Sequence, residues 1–237
     1  RPSEGAGSDQ KKGKGPNYPF VVRHVCRPKD GNPLSAAGRV LKRTIHVHAP
    51  DGSAHEATIR IGLLGFAPPP IVEWDKRNLE GKVTVLGVVE AAQKYLPDLK
   101  KAGADIVIAI THGGINTAPY APTMENAGWH LAQVPGIDAI LLGHSHDIFP
   151  NPGNSKSRYA HMAEVDNVRG SVHGVPALMG NYFGKRIGVT DLAGDFHDGH
   201  WQVERAASTA HGRPVKNAAG RSGAVAPERE SDGEGQM

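Results

Sequence analysis

The chain has a single cysteine, Cys26, among 237 residues, so no intrachain disulfide can form. Its stability must come from a packed core, and the length suffices for one of good size. The redox compartment stays open, because an exported protein with a large core needs no bridges. Aromatic residues are scarce at 5%, and the net charge is only +3. Cations interleaved with aromatics, as in a nucleic-acid groove, are missing, which excludes a nucleic-acid polymer as partner. No apolar run approaches the roughly 20 residues of a membrane-crossing helix, so no membrane span is expected. A Gly-x-Ser-x-Gly elbow, a P-loop and a Gly-x-Gly-x-x-Gly turn are also missing. Rossmann-like nucleotide binding is therefore disfavoured.

Glycine and proline are plentiful, at 30 and 18, and predict many turns. Residues 1–17 are mostly Gly, Lys, Ser and Asp and read as a disordered tail. Residues 18–206 form the domain, and residues 207–237 turn to Gly, Ala, Arg and Glu, a loose tail or linker. The start, Arg1-Pro2-Ser3-Glu4, has neither an initiator Met nor a signal-peptide pattern, so the chain is expected to be cut from something longer.

Strands are expected at Tyr18–Val22, Val40–His48 and Ala57–Phe66, with turns at Lys29–Pro33 and Ala49–Gly52. From Thr84 to Ala102, Val85, Val88, Val89, Ala92, Tyr95, Leu96 and Leu99 recur at helical spacing, and Gly103 ends the run. Asp105–Ile110 and Ile137–Leu142 are continuous apolar runs, typical of strands covered on both faces. Between them Thr123–Gln133 reads as a helix with Thr123 as N-cap. Val175–Met179 and Arg186–Leu192 are expected as adjacent strands, with Trp201–Glu204 closing the sheet. The strand–helix alternation indicates an α/β sandwich.

Both central apolar runs end in histidine: Thr111-His112-Gly113-Gly114 follows one, Gly143-His144-Ser145-His146 the other. Ligands of open α/β sheets gather at the carboxyl ends of the strands, so neighbouring strands would bring His112 and His144 together. In extended chain His144 and His146 point the same way. The glycines let backbone approach a bound ion or phosphate. Imidazole suits Zn, Mn, Fe, Co or Ni. The pattern alone is weak, since His46-Val47-His48 repeats it on a surface strand and His197-Asp198-Gly199-His200 occupies a turn. Position after buried strands singles out His112, His144 and His146. Cys26 near His24 reads as an inert thiol, Glu125 and Asn126 as a helix start, and Trp74, Asp75 and Lys76 as a surface loop without a catalytic role.

The stretches LLGFAPPPIVEWDKRNLEGKVTV, ADIVIAITHGGI, ENAGWHLAQVPGIDAILLGHSHDIFP and VHGVPALMGNYFGKRIGVTDL resemble the bacterial 2′,3′-cyclic-nucleotide 2′-phosphodiesterase/3′-nucleotidase family. These are relatives of the 5′-nucleotidases in the calcineurin-like metallophosphoesterase superfamily. The resemblance runs over about residues 18–215. It implies the C-terminal part of a metallophosphoesterase sandwich, mixed sheets flanked by helices, lacking its N-terminal portion. It also implies a nucleotide or cyclic-nucleotide substrate and two divalent metal ions (Mn, Zn, Co or Fe). His112 and His144 match ligands of one ion and His146 a ligand of the other. The family's opening Asp-x-His, Gly-Asp and Gly-Asn-His-Glu motifs have no counterpart ahead of these histidines. No catalytic residue is therefore assigned in this chain, and a missing N-terminal segment is needed to complete the site. The isolated chain is expected to be inactive or nearly so. A non-catalytic binding module with the half-domain fold is the alternative. The parent is expected in the periplasm or cell wall.

Overall fold

The computed structural model describes residues 22, 24–34, 39–48, 51–197 and 199–216. Of the strand expected at Tyr18–Val22 only Val22 falls among them, bridging Gly65. The short strand β1 (Val25–Cys26) precedes a turn in which Gly31 takes φ +66° and the Asn32 amide donates to the Asp30 carboxylate. Strands β2 (Arg39–His48) and β3 (Ala54–Phe66) pair antiparallel over ten residues, from Arg39 opposite Leu63 to His48 opposite Ala54. Asp51 organises their turn by accepting the Ser53 amide at 2.8 Å.

After β3 come α1 (Ile71–Trp74), α2 (Lys76–Leu79), β4 (Thr84–Val85) and α3 (Val88–Lys101). The helix expected from Thr84 begins four residues later, because Thr84 and Val85 pair with Cys26 and Val25. Its buried stripe is Val88, Ala91, Ala92, Tyr95 and Leu99, and Gly103 turns the chain away at φ +83°. Strand β5 (Ile106–Thr111), helix α4 (Gly128–Leu131) and strand β6 (Ala139–Leu142) follow. Next are β7 (Ile148–Phe149), β8 (Val165–Asp166), β9 (Ser171–Val172) and β10 (Val175–Gly180).

The main sheet has the order β2-β3-β5-β6-β10-β9-β8, with β7 pairing the end of β10. Its centre, β3, β5, β6 and β10, is parallel. Two aspartates fix the register. Asp105 accepts the Arg60 amide and Asp138 the Val107 amide, both at 2.7 Å, at the amino ends of β5 and β6. One sheet face carries Leu64, Phe66, Val107, Ala109, Ile140 and Met179, and packs with Val88, Leu99 and Leu131 in the core. The opposite face is thinly covered: Ile61, Leu63, Ile108 and Leu141 are half-buried and Ile110 is exposed. Fully buried His24 closes the core near β1. It donates from Nε2 to the Ala67 carbonyl at 2.9 Å, and its Nδ1 has no hydrogen-bond partner among the described residues.

Three expectations need correction. The helix over Thr123–Gln133 shrinks to α4, because Asn126, placed within it, uses its side chain to accept the Gly114 amide at 2.7 Å. Strand β11 (Arg186–Asp191) does not pair with β10; it pairs with β14 (Thr209–Pro214), which lies in the stretch expected to be a loose tail. This hairpin lies against β10, where a side chain at Gly188 would meet Leu178 at 2.3 Å. Finally, β13 (His200–Val203) pairs, among the described residues, only with β12 (Gly194–His197), as a separate hairpin tied to β3 by the Trp201 indole on the Thr58 carbonyl. The expected α/β alternation stands, with a parallel sheet centre joined through helices. Among the described residues no helix is long and apolar enough to cross a membrane.

Candidate functional site

Neighbouring parallel strands β5 and β6 end at one edge of the sheet. His112 leaves the first and His144 the second, and their ring centroids lie 5.1 Å apart, tilted by 59°. The pKa of His112 is lowered. The partial loss of water around the His112 ring is the larger cause, followed by His144 and then His146. His112 and His146 are exposed and His144 is half-buried, so the cluster faces solvent.

His144 and His146 do not follow the period-2 alternation of an extended strand. Both take left-handed backbone conformations, φ +65° and φ +56°, in the loop after β6. A non-glycine residue rarely adopts these angles, and such strain gathers at functional sites.

Three loops hold the cluster together through close backbone approach. The Gly128 amide donates to the Gly114 carbonyl at 2.9 Å and the Gly143 amide to the Gly113 carbonyl at 3.2 Å. A Cβ at Gly113 would meet the Glu125 carbonyl oxygen at 2.9 Å, and one at Gly114 would meet the Ser145 hydroxyl at 2.6 Å. Gly143 differs: a Cβ there would make ordinary contact with His112 at 3.6 Å.

Two neighbours of His144 carry no motif. The Glu125 carboxylate contacts its Nε2, from 19 residues away in sequence. The Trp74 indole stacks on its ring at 5.2 Å and an interplanar angle of 16°. Trp74 therefore belongs to the site's wall, a correction to its reading as a bare surface loop. The nearest sequence signal was the carboxylate-amide pair Glu125-Asn126 opening the segment before α4. On the far side, His146 lies 5.1 Å from the Tyr182 ring, whose face is covered by the Lys185 ammonium at 3.7 Å. Cys26 is buried in β1, away from these groups, and His46 lies exposed on β2.

As metal donors, three imidazoles suit a divalent transition ion. They fit in kind and fall short in number. Among the described residues no three His, Cys, Asp or Glu side chains close around one point. The histidines therefore fit as part of a ligand set, with no bridging carboxylate among them.

A family model described as calcineurin-like phosphoesterase matches residues 9–147. The 2′,3′-cyclic-nucleotide 2′-phosphodiesterase/3′-nucleotidase of Salmonella typhimurium is 38% identical over 207 residues, 87% of this chain and 30% of that protein. The protein of the same name from Haemophilus influenzae is 46% identical over 186 residues, 78% and 27% of the two. The calcineurin-like phosphoesterase YfkN of Bacillus subtilis superposes with a TM-score of 0.75 at 35% identity, covering 84% of this chain and 57% of that one. The chain thus spans less than a third of the length of these curated relatives. With more than half of its residues matched by that description, the chain belongs to the calcineurin-like phosphoesterases.

Proposed function

We propose that this chain supplies part of a two-metal site that hydrolyses nucleotide phosphate esters, of the 2′,3′-cyclic-nucleotide and 3′-nucleotide type, in a longer parent enzyme. The observation that carries the reading is the convergence of His112 and His144 at 5.1 Å on the carboxyl edge of the parallel sheet. His112 and His144 would hold one divalent ion (Mn, Zn, Co or Fe) and His146 would serve the second. Bound ions of this kind polarise phosphoryl oxygens and lower the pKa of coordinated water. The chain's own contribution is placement. His144 and His146 sit in left-handed backbone conformations, and the glycines at 113, 114 and 128 let three loops approach closely beside His112 and His144.

The remaining ligands and the catalytic histidine come from outside the described residues, a reading supported by the greater length of the relatives. The same segment would cover the thinly covered sheet face around Ile110. The chain alone then turns over little or no phosphoester. We extend the reading to a parent exported to the periplasm or cell wall, on the resemblance alone.

The test measures metal content and hydrolysis of bis-p-nitrophenyl phosphate with added Mn, for the purified chain and for His144→Ala. Weak metal binding that depends on His144, without turnover, is the expected result. Metal-dependent turnover lost in His144→Ala would refute the incompleteness of the site. Metal binding indifferent to His144 would refute the metal assignment itself. The shortfall of ligands among the described residues favours a second reading, a non-catalytic module that retains the half-domain fold. A parent protein that carries the opening motifs and hydrolyses phosphoesters would exclude it.

A further inference from the structure

We infer that Glu125 and Trp74 are positioning residues for His144, which together present its Nδ1 as the ligating atom. The inference rests on the metal reading above and assigns roles to two side chains that touch the imidazole on different sides. His144 sits at φ +65°, a conformation that strains an L-residue and persists only where the surroundings over-determine it. Those surroundings are visible. The Glu125 carboxylate contacts Nε2, and an ionised carboxylate can only accept, so Nε2 carries the ring hydrogen. The neutral ring then has its lone pair on Nδ1. A carboxylate behind a ligating imidazole sets tautomer and ring direction in this way.

Trp74 acts on the ring face. It lies nearly parallel to the imidazole, at 16° and 5.2 Å, and so limits rotation of the ring about the Cβ–Cγ bond. The indole is 50% exposed, which leaves it an outer wall of the site and no part of the core. Glu125 itself is held. Its neighbour Asn126 accepts the Gly114 amide at 2.7 Å, and its own carbonyl lies where a Cβ on Gly113 would stand at 2.9 Å. The carboxylate therefore reaches His144 from a turn pinned to the loop that carries His112.

The test needs no turnover. Long-range ¹⁵N–¹H correlation spectra of the full chain, histidine-labelled and metal-free, report the tautomer of His144. Titration with Co(II), followed by visible absorption, reports affinity. Wild type shows the Nε2–H form. Glu125→Ala gives a mixture of tautomers and lowers Co(II) affinity about 10- to 100-fold. Glu125→Gln, whose amide can accept from an Nε2–H or donate to a bare Nε2, also gives a mixture of tautomers, and it stands in should the alanine variant fail to fold. Trp74→Ala leaves the tautomer alone and weakens Co(II) binding by a smaller factor, which Trp74→Phe restores. A wild-type Nδ1–H form, or a tautomer unmoved in Glu125→Ala, overturns the inference. A moved tautomer with unchanged Co(II) affinity, while His144→Ala loses binding, overturns the positioning role and leaves the metal reading intact. Co(II) binding undiminished in His144→Ala brings down both.

Discussion

Acidification should destabilise this fold through His24 in particular. The imidazole is fully buried, and loss of water lowers its pKa from 6.5 to about 4. The carbonyls of Ala67 and Gly65 favour the charged ring without offsetting that cost. Unfolded chain binds the proton near pH 6.5, whereas folded chain resists it until about pH 4. Stability is therefore intact above pH 6.5, falls as pH drops towards 4, and levels off below. The full displacement is worth about 3 kcal/mol, and about 2 kcal/mol of it is lost by pH 5. The assay is urea unfolding at pH 7.5 and pH 5.0, for wild type and His24→Gln. Other titrating groups are common to both proteins, so the difference of differences isolates His24. Wild type should lose about 2 kcal/mol more than the variant on acidification. Equal losses would refute the argument, and would mean that the buried ring finds a partner or water when protonated.

Three further variants follow from named contacts. Gly114→Ala drives a methyl group to 2.6 Å from the Ser145 hydroxyl and 3.0 Å from the Asn126 amide oxygen, so thermal denaturation should show a loss of about 1–3 kcal/mol. Co(II) affinity should drop in the same variant, because the His112 and Glu125 loops separate. Asp105→Ala leaves the Arg60 amide, now bonded at 2.7 Å, without its acceptor, at about 1–3 kcal/mol in urea unfolding. Tyr159→Phe removes the phenol that donates to Asp147 at 2.7 Å but keeps the ring edge-on to Phe149, for a loss of about 1 kcal/mol by the same method.

The central strands were legible because their signal is local. Runs such as Ile106–Ile110 and Ala139–Leu142 are apolar over every position, and α3 repeats its apolar stripe each turn. The histidines after β5 and β6 were legible by position once those strands were neighbours. The segment Thr123–Gln133 misled because its helical pattern competes with tertiary bonds. Asn126 bonds the Gly114 amide and Glu125 turns to His144, and these override propensity. Strand β14 hides in Thr-Ala-His-Gly-Arg-Pro, where Ala210 alone is buried, so no alternation marks it. Which strands pair is a non-local property, and that is why β11 was expected beside β10 when its partner is β14. Glu125 read as a helix start and Trp74 as a surface loop for the same reason, since each meets His144 across a long sequence gap.

Strand β2 ends the main sheet, and among the described residues only β3 pairs with it. Ten residues of backbone donors and acceptors along such an edge form a template on which a second molecule could add a strand. The strand reads Arg-Val-Leu-Lys-Arg-Thr-Ile-His-Val-His, with three cations and no acid. Two copies laid edge to edge would bring like charges together, which opposes the very association that the backbone invites. This guard is electrostatic, so it weakens as salt shortens the Debye length from about 10 Å at 0.1 M to about 3 Å at 1 M. Concentrated salt, often used to keep proteins in solution, should therefore promote self-association of this one through β2.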